Sequence, residues 1–101
     1  MDRQALEKML QHGQDNALLR YTLGSLCLKE KCFKEAAEHL QQALNFDQTH
    51  SASWKLYGKV LTQLERTDEA REAYQKGIAV AESKGDVQAA KEMKVFLKRL
   101  D

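Results

Sequence analysis

Apolar side chains return every three or four residues along almost the whole chain, and no strand signal interrupts the pattern. In the first segment Ala5, Leu6, Met9 and Leu10 form one stripe. Asp2 is placed to cap that stripe and Gly13 to end it, which predicts a helix over residues 2–12. Asn16, or Asp15 beside it, can open a second helix running to residue 30; Lys31 and Cys32 then turn the chain into a third over 33–46. After the loop 47–50, Ser51 opens a fourth helix carrying Trp54, Gly58 and Leu61. Thr67 begins a fifth, with Asp68 and Glu69 in the first turn where the helix dipole favours negative charge, and Lys84 and Gly85 close it. Val87, Ala90, Met93, Phe96, Leu97 and Leu100 trace a sixth amphipathic helix over 86–100, with Lys91, Lys94, Lys98 and Arg99 outside the stripe.

The helices are written in a register. An offset of 34 residues pairs Gly24 with Gly58 and Ala36 with Ala70, and it also superposes Leu23 on Tyr57, Cys27 on Leu61, Leu40 on Tyr74, Ala43 on Gly77 and Leu44 on Ile78. A period of this length marks a stacked helical repeat. The spacing has a physical reason: small residues at 24 and 58 let two helix backbones approach closely, while alanines at 36 and 70 accept the bulky side chains of the partner helix. Shifted by the same offset, Leu6 falls on Leu40, Met9 on Ala43 and Leu10 on Leu44, so the first helix reads as the second half of a preceding unit. The expected organisation is one domain over 1–101, with a half repeat at 1–13, full repeats at 17–50 and 51–84, and a capping helix at 86–100, where Glu92 replaces the glycine of a third repeat.

The stretch Trp54-Lys55-Leu56-Tyr57-Gly58-Lys59-Val60-Leu61, followed by Ala70 and Tyr74, resembles the tetratricopeptide repeat. The first copy keeps Leu23-Gly24, Ala36, Leu40 and Ala43, with Arg20 and Cys27 at the tryptophan and tyrosine places. The resemblance implies an all-α fold of antiparallel helix-turn-helix units stacked as a short right-handed superhelix, an α-solenoid of about six helices. It also implies a concave groove lined by the first helix of each unit, which takes a peptide or a protein segment. The groove places of the repeat hold Leu18, Tyr21, Thr22, Ser25, Leu28 and Lys29 in one copy, and Ala52, Lys55, Leu56, Lys59, Thr62 and Gln63 in the next. Lys55 and Lys59 lie one helical turn apart, so both ammonium groups can face an acidic or carboxylate-bearing partner, with Tyr21, Leu18 and Leu56 supplying apolar contact. Tyr21 and Ser25 stand where the family's chaperone-tail receptors carry lysine and asparagine, so that particular specificity is not expected.

Composition agrees with the helical reading, for the chain has no proline and only five glycines. Charged residues make up 31% of it, yet the formal net charge is +1, so the charges read as interspersed solvated faces, and neither nucleic acid nor a membrane is expected as a partner. The first residues lack an apolar leader core, and no run approaches the roughly 18 apolar residues of a membrane span. These features predict a soluble, cytoplasmic protein.

Catalytic and metal chemistry find no foothold. Cys27 and Cys32, together with His39 and His50, lack paired ligand spacing; both cysteines read as free thiols, and no metal or cofactor is expected. No glycine-rich oxyanion element follows Cys27 or Cys32, no glycine-rich phosphate loop is present, and the expectation is a non-catalytic adaptor. Two alternatives come from other classes. One is a structural homodimer stacked through Val95 and Phe96 or through the Leu6 and Met9 face; the other is a thiol-based metal or redox sensor using Cys27 and Cys32.

Overall fold

The apolar stripes become packed helix faces in the computed structural model, which describes residues 2–101. Among these residues the elements are α1 (Arg3–Gln11), α2 (Ala17–Lys29), α3 (Phe33–Phe46), α4 (Ser51–Gln63), α5 (Thr67–Lys84) and α6 (Val87–Arg99), with no strand. Three helices begin at a side-chain cap. Asp2 Oδ1 accepts from Ala5 N and Asn16 Oδ1 from Leu19 N, each at 2.8 Å, and Asp86 Oδ1 accepts from Ala89 N at 3.2 Å.

The helix ends share one device. At the ends of α1, α2, α4 and α5 a left-handed residue lets the next backbone N–H reach back five residues: Gln14 to Met9, Cys32 to Cys27, Arg66 to Leu61 and Asp86 to Ala81. Glycine fills the left-handed place at 13 and 85, but Lys31 (φ 62°) and Glu65 (φ 59°) fill it in the two full repeats, again 34 residues apart.

α2 packs antiparallel on α3 and α4 on α5, while α3 meets α4 and α5 meets α6, so the hairpins stack in chain order. The close approaches fall at the expected glycines. A Cβ placed on Gly24 would lie 2.6 Å from Leu40 Cγ, and one on Gly58 would lie 2.6 Å from Tyr74 Cζ. The core runs as a chain of clusters: Leu6 with Leu19 and Leu23; Cys27 with Ala36, Ala37, Leu40 and Val60; Leu61 with Ala70 and Ala73; and Tyr74 with Ala81, Ala89, Ala90 and Met93. Leu6 is therefore covered by α2, and Met9 is the part of that face left open. The result is an array of 40 × 28 × 20 Å in which α4 touches both α2 and α6, lining up the first helices of successive units on one side. No described helix is long and apolar enough to cross a membrane.

Candidate functional site

The side formed by α2, α4 and α6 divides into two halves of different chemistry. Toward the helix N-termini, Leu18 is 72% exposed, and Tyr21 lies edge-on to the His50 ring with centroids 4.9 Å apart. Thr22 turns its hydroxyl inward, donating to Leu18 O at 2.8 Å, and Ser25 is half-buried beyond it. Leu56 packs on the cluster around Cys27 and Val60, so its contribution to this surface is shared with the core.

The two lysines of α4 have different surroundings. Lys55 Nζ lies 3.5 Å from both carboxylate oxygens of Glu92 on α6. One turn further along, Lys59 Nζ sits 4.8 Å from the centroid of the Phe96 ring, and the Arg99 guanidinium approaches the same ring at 5.8 Å. Thr62 follows Lys59, its hydroxyl donating to Gly58 O at 2.8 Å.

Toward the helix C-termini lies a cavity of about 650 Å³. Leu28, Phe33, Tyr74 and Phe96 supply its apolar wall, and Lys29, Lys31, Lys59 and Arg99 stand around it together with Thr62 and Gln63. Burial raises the Tyr74 phenol above its ordinary range, which keeps it neutral here. Of the groove residues expected from the sequence, Leu28, Lys29, Lys59, Thr62 and Gln63 line this cavity; Leu18, Tyr21, Thr22, Ser25, Ala52, Lys55 and Leu56 lie outside its wall. Sequence reasoning missed Phe96 and Arg99 as groove residues, yet the register held the signal: the same offset that carries Leu28 to Thr62 carries Thr62 to Phe96, and it carries Lys31 through Glu65 to Arg99.

The sequence of this chain is 48% identical over 98 residues to the TPR repeat-containing protein PA0015 of Pseudomonas aeruginosa, covering 97% of this chain and 93% of that one. The chain belongs to the tetratricopeptide repeat family. Residues 4–77 also match the family described as anaphase-promoting complex, cyclosome, subunit 3. Among solved structures, protein BPP2914 from Bordetella parapertussis superposes with a TM-score of 0.85 at 45% identity, covering 99% of this chain and 87% of that one. The second TPR domain of human RPAP3, solved in complex with the HSP70 peptide SGPTIEEVD, superposes with a TM-score of 0.65 at 25% identity, covering 78% of this chain and 67% of that one.

Elsewhere, this tetratricopeptide repeat protein uses its polar groups to tie neighbouring helices and loops together. Arg20, at the repeat's tryptophan place, grips Asp15 at 2.8 and 2.9 Å and donates to His39 Nδ1 on α3 at 3.1 Å. In the second repeat Trp54 packs between clusters on α5 and α6, and its Nε1 donates to Gln48 O at 2.8 Å. Cys27 is fully buried, and burial pushes its thiol up to about 11. Cys32 is half-buried beside Arg3, whose Nη1 lies 3.3 Å from the sulfur and 2.8 Å from Glu30. Both thiols are free, and among the described residues no group of three or more histidine, cysteine or carboxylate side chains is arranged to hold a metal ion.

Proposed function

We propose that the chain is a non-catalytic adaptor that binds an extended segment of another protein along the face formed by α2, α4 and α6. The observation that carries this reading is the cavity of about 650 Å³ on that face, where apolar side chains and unfilled cationic groups meet around a surface no element of the chain covers. The binding surface runs from Leu18, Tyr21, Thr22 and Ser25 on α2 to Leu56, Lys59 and Thr62 on α4. A related domain that holds a peptide, the second TPR domain of RPAP3, supports the reading. Because Lys55 is engaged by Glu92, Lys59 is the α4 lysine available to a carboxylate.

The test is photo-crosslinking from single positions. A benzophenone side chain at Thr22 or Thr62, on the groove side, should trap the same protein from a lysate of the native host, while one at exposed Gln42 on α3 or Gln75 on α5 should not. Adducts from the α3 and α5 positions alone would move the binding surface to the opposite face.

A second reading is self-assembly through the outer side of α6, where Val87 and Val95 are 61% and 48% exposed. Lys91 lies between them on the same face, which breaks the apolar surface. A mass by light scattering that doubles with concentration would favour assembly, and a constant monomer mass would remove it.

A further inference from the structure

The charge around the cavity is not balanced by its neighbours. Lys29, Lys31, Lys59 and Arg99 surround it, and no aspartate or glutamate lines it. Among the described residues none of the four cations makes an ion pair. Carboxylates do stand close by in sequence, and each is drawn to another cation: Glu30 to Arg3 at 2.8 Å, Asp101 to Arg71 at 3.0 Å, and Glu92 to Lys55 at 3.5 Å. Helix ends account for part of the pattern, since Lys29 and Arg99 occupy last turns where the dipole favours positive charge. They do not account for Lys59, which lies inside α4 and leans on Phe96, or for Lys31, which holds a left-handed backbone place where the family of turns prefers glycine.

We infer that this cavity binds an internal acidic segment of a partner protein, one in which an apolar side chain seats on Phe96 and Phe33 while flanking carboxylates meet Lys59, Arg99, Lys29 and Lys31. The inference rests on the groove-binding reading above and names the ligand class. A chain-terminal carboxylate alone would engage one or two cations, whereas four spread around the rim match several side-chain carboxylates. The apolar wall supplies what a purely electrostatic site would lack, a place for a side chain to leave water. Lys55 takes no part, because Glu92 already supplies its carboxylate.

The probe is a dye-labelled, C-terminally amidated peptide, Gly-Ser-Glu-Glu-Leu-Glu-Glu-Ser-Gly, titrated with the full chain by fluorescence anisotropy at low and physiological salt. Binding should weaken as salt rises. Replacing the four glutamates by glutamine, or the leucine by glycine, should each weaken it by about five-fold or more. The variant Lys59→Gln/Arg99→Gln should lose about ten-fold, and Lys55→Gln less than about two-fold. Circular dichroism and melting of each variant establish that it is folded, and the peptide replacements test the same contacts with the protein unchanged. The inference is overturned if the glutamine peptide binds equally, if Lys59→Gln/Arg99→Gln is without effect, if binding appears only with a free C-terminal carboxylate, or if single-stranded oligothymidylate binds as tightly as the peptide. Crosslinks from Thr22 and Thr62 with no acidic-peptide binding would overturn the ligand class and leave the groove reading standing; absence of both would remove the groove reading as well.

Discussion

Lys55 Nζ on α4 sits 3.5 Å from both carboxylate oxygens of Glu92 on α6, and Glu92 occupies the repeat place that Gly24 and Gly58 hold in the two units before it. Among the described residues no later helix crosses α6 at that place, and the side chain it carries neutralises Lys55. Glu92→Gln should therefore release Lys55. The pair is only partly buried, so stability should change by no more than about 1 kcal/mol. The affinity for the acidic peptide should rise about two- to five-fold. Thermal melting and the anisotropy titration read the two effects separately, and an unchanged or reduced affinity would show that Lys55 lies too far from the bound segment to matter.

Gly58→Ala should destabilise the protein. The new Cβ would stand 2.6 Å from a ring carbon of Tyr74, a buried aromatic whose ring would have to shift. Overpacking of this kind costs about 1–3 kcal/mol, against a gain of about 1 kcal/mol in helix propensity. In combination with Tyr74→Leu, which removes the ring, Gly58→Ala should cost less than it does alone. Denaturant melts of the single and double variants measure that coupling. Strict additivity would mean that the two positions do not share a crossing.

Stability should fall with acid through the histidine range. His39 has its pKa lowered, first by burial and then by the positive charge of Arg20, relative to the ordinary value of 6.5. The unfolded chain thus takes up the proton more readily than the folded one. Stability is complete above pH 6.5 and declines as the pH drops through that value, the reverse of a histidine with an acidic partner. Replacing His39 by Gln should flatten this part of the stability profile in urea melts taken at successive pH values.

Thiol reagents should tell the two cysteines apart. Cys27 is 0% exposed, with its thiol pushed up to about 11, while Cys32 is half-buried beside the Arg3 guanidinium. Since the thiolate is the reacting species, native protein treated with a maleimide near neutral pH should gain one adduct, on Cys32, and denatured protein two. Rapid labelling of both in the native state would show that α2 opens readily from α3.

The register of the fold was open to sequence reading because its cause is repeated. Gly24 and Gly58, Ala36 and Ala70 each mark a helix crossing, and a crossing imposes the same size limit wherever it recurs. The helix ends are less legible. Gly13 and Gly85 announced left-handed ends by residue type, whereas Lys31 and Glu65 adopt the same backbone with side chains that ordinarily avoid it. Their common place in the repeat is the trace such a turn leaves. Around the cavity, Leu28, Lys29, Lys59, Thr62 and Gln63 stand at groove places of the repeat, whereas Phe96 and Arg99 are not legible that way, because Glu92 reads as the end of the repeat while α6 packs as the third helix of the same face.

By itself the sequence determined the helices, their order and the 34-residue period, since apolar spacing, capping residues and small residues at crossings act over a few turns of chain. Only the tertiary structure decided which charges are spent and which are free. Lys55 and Lys59 look alike in α4, and their fates diverge because stacking brings Glu92 to one and Phe96 to the other, each 37 residues away. Electrostatic attraction depends on distance and on burial, and between helices both are set by packing rather than by position along the chain.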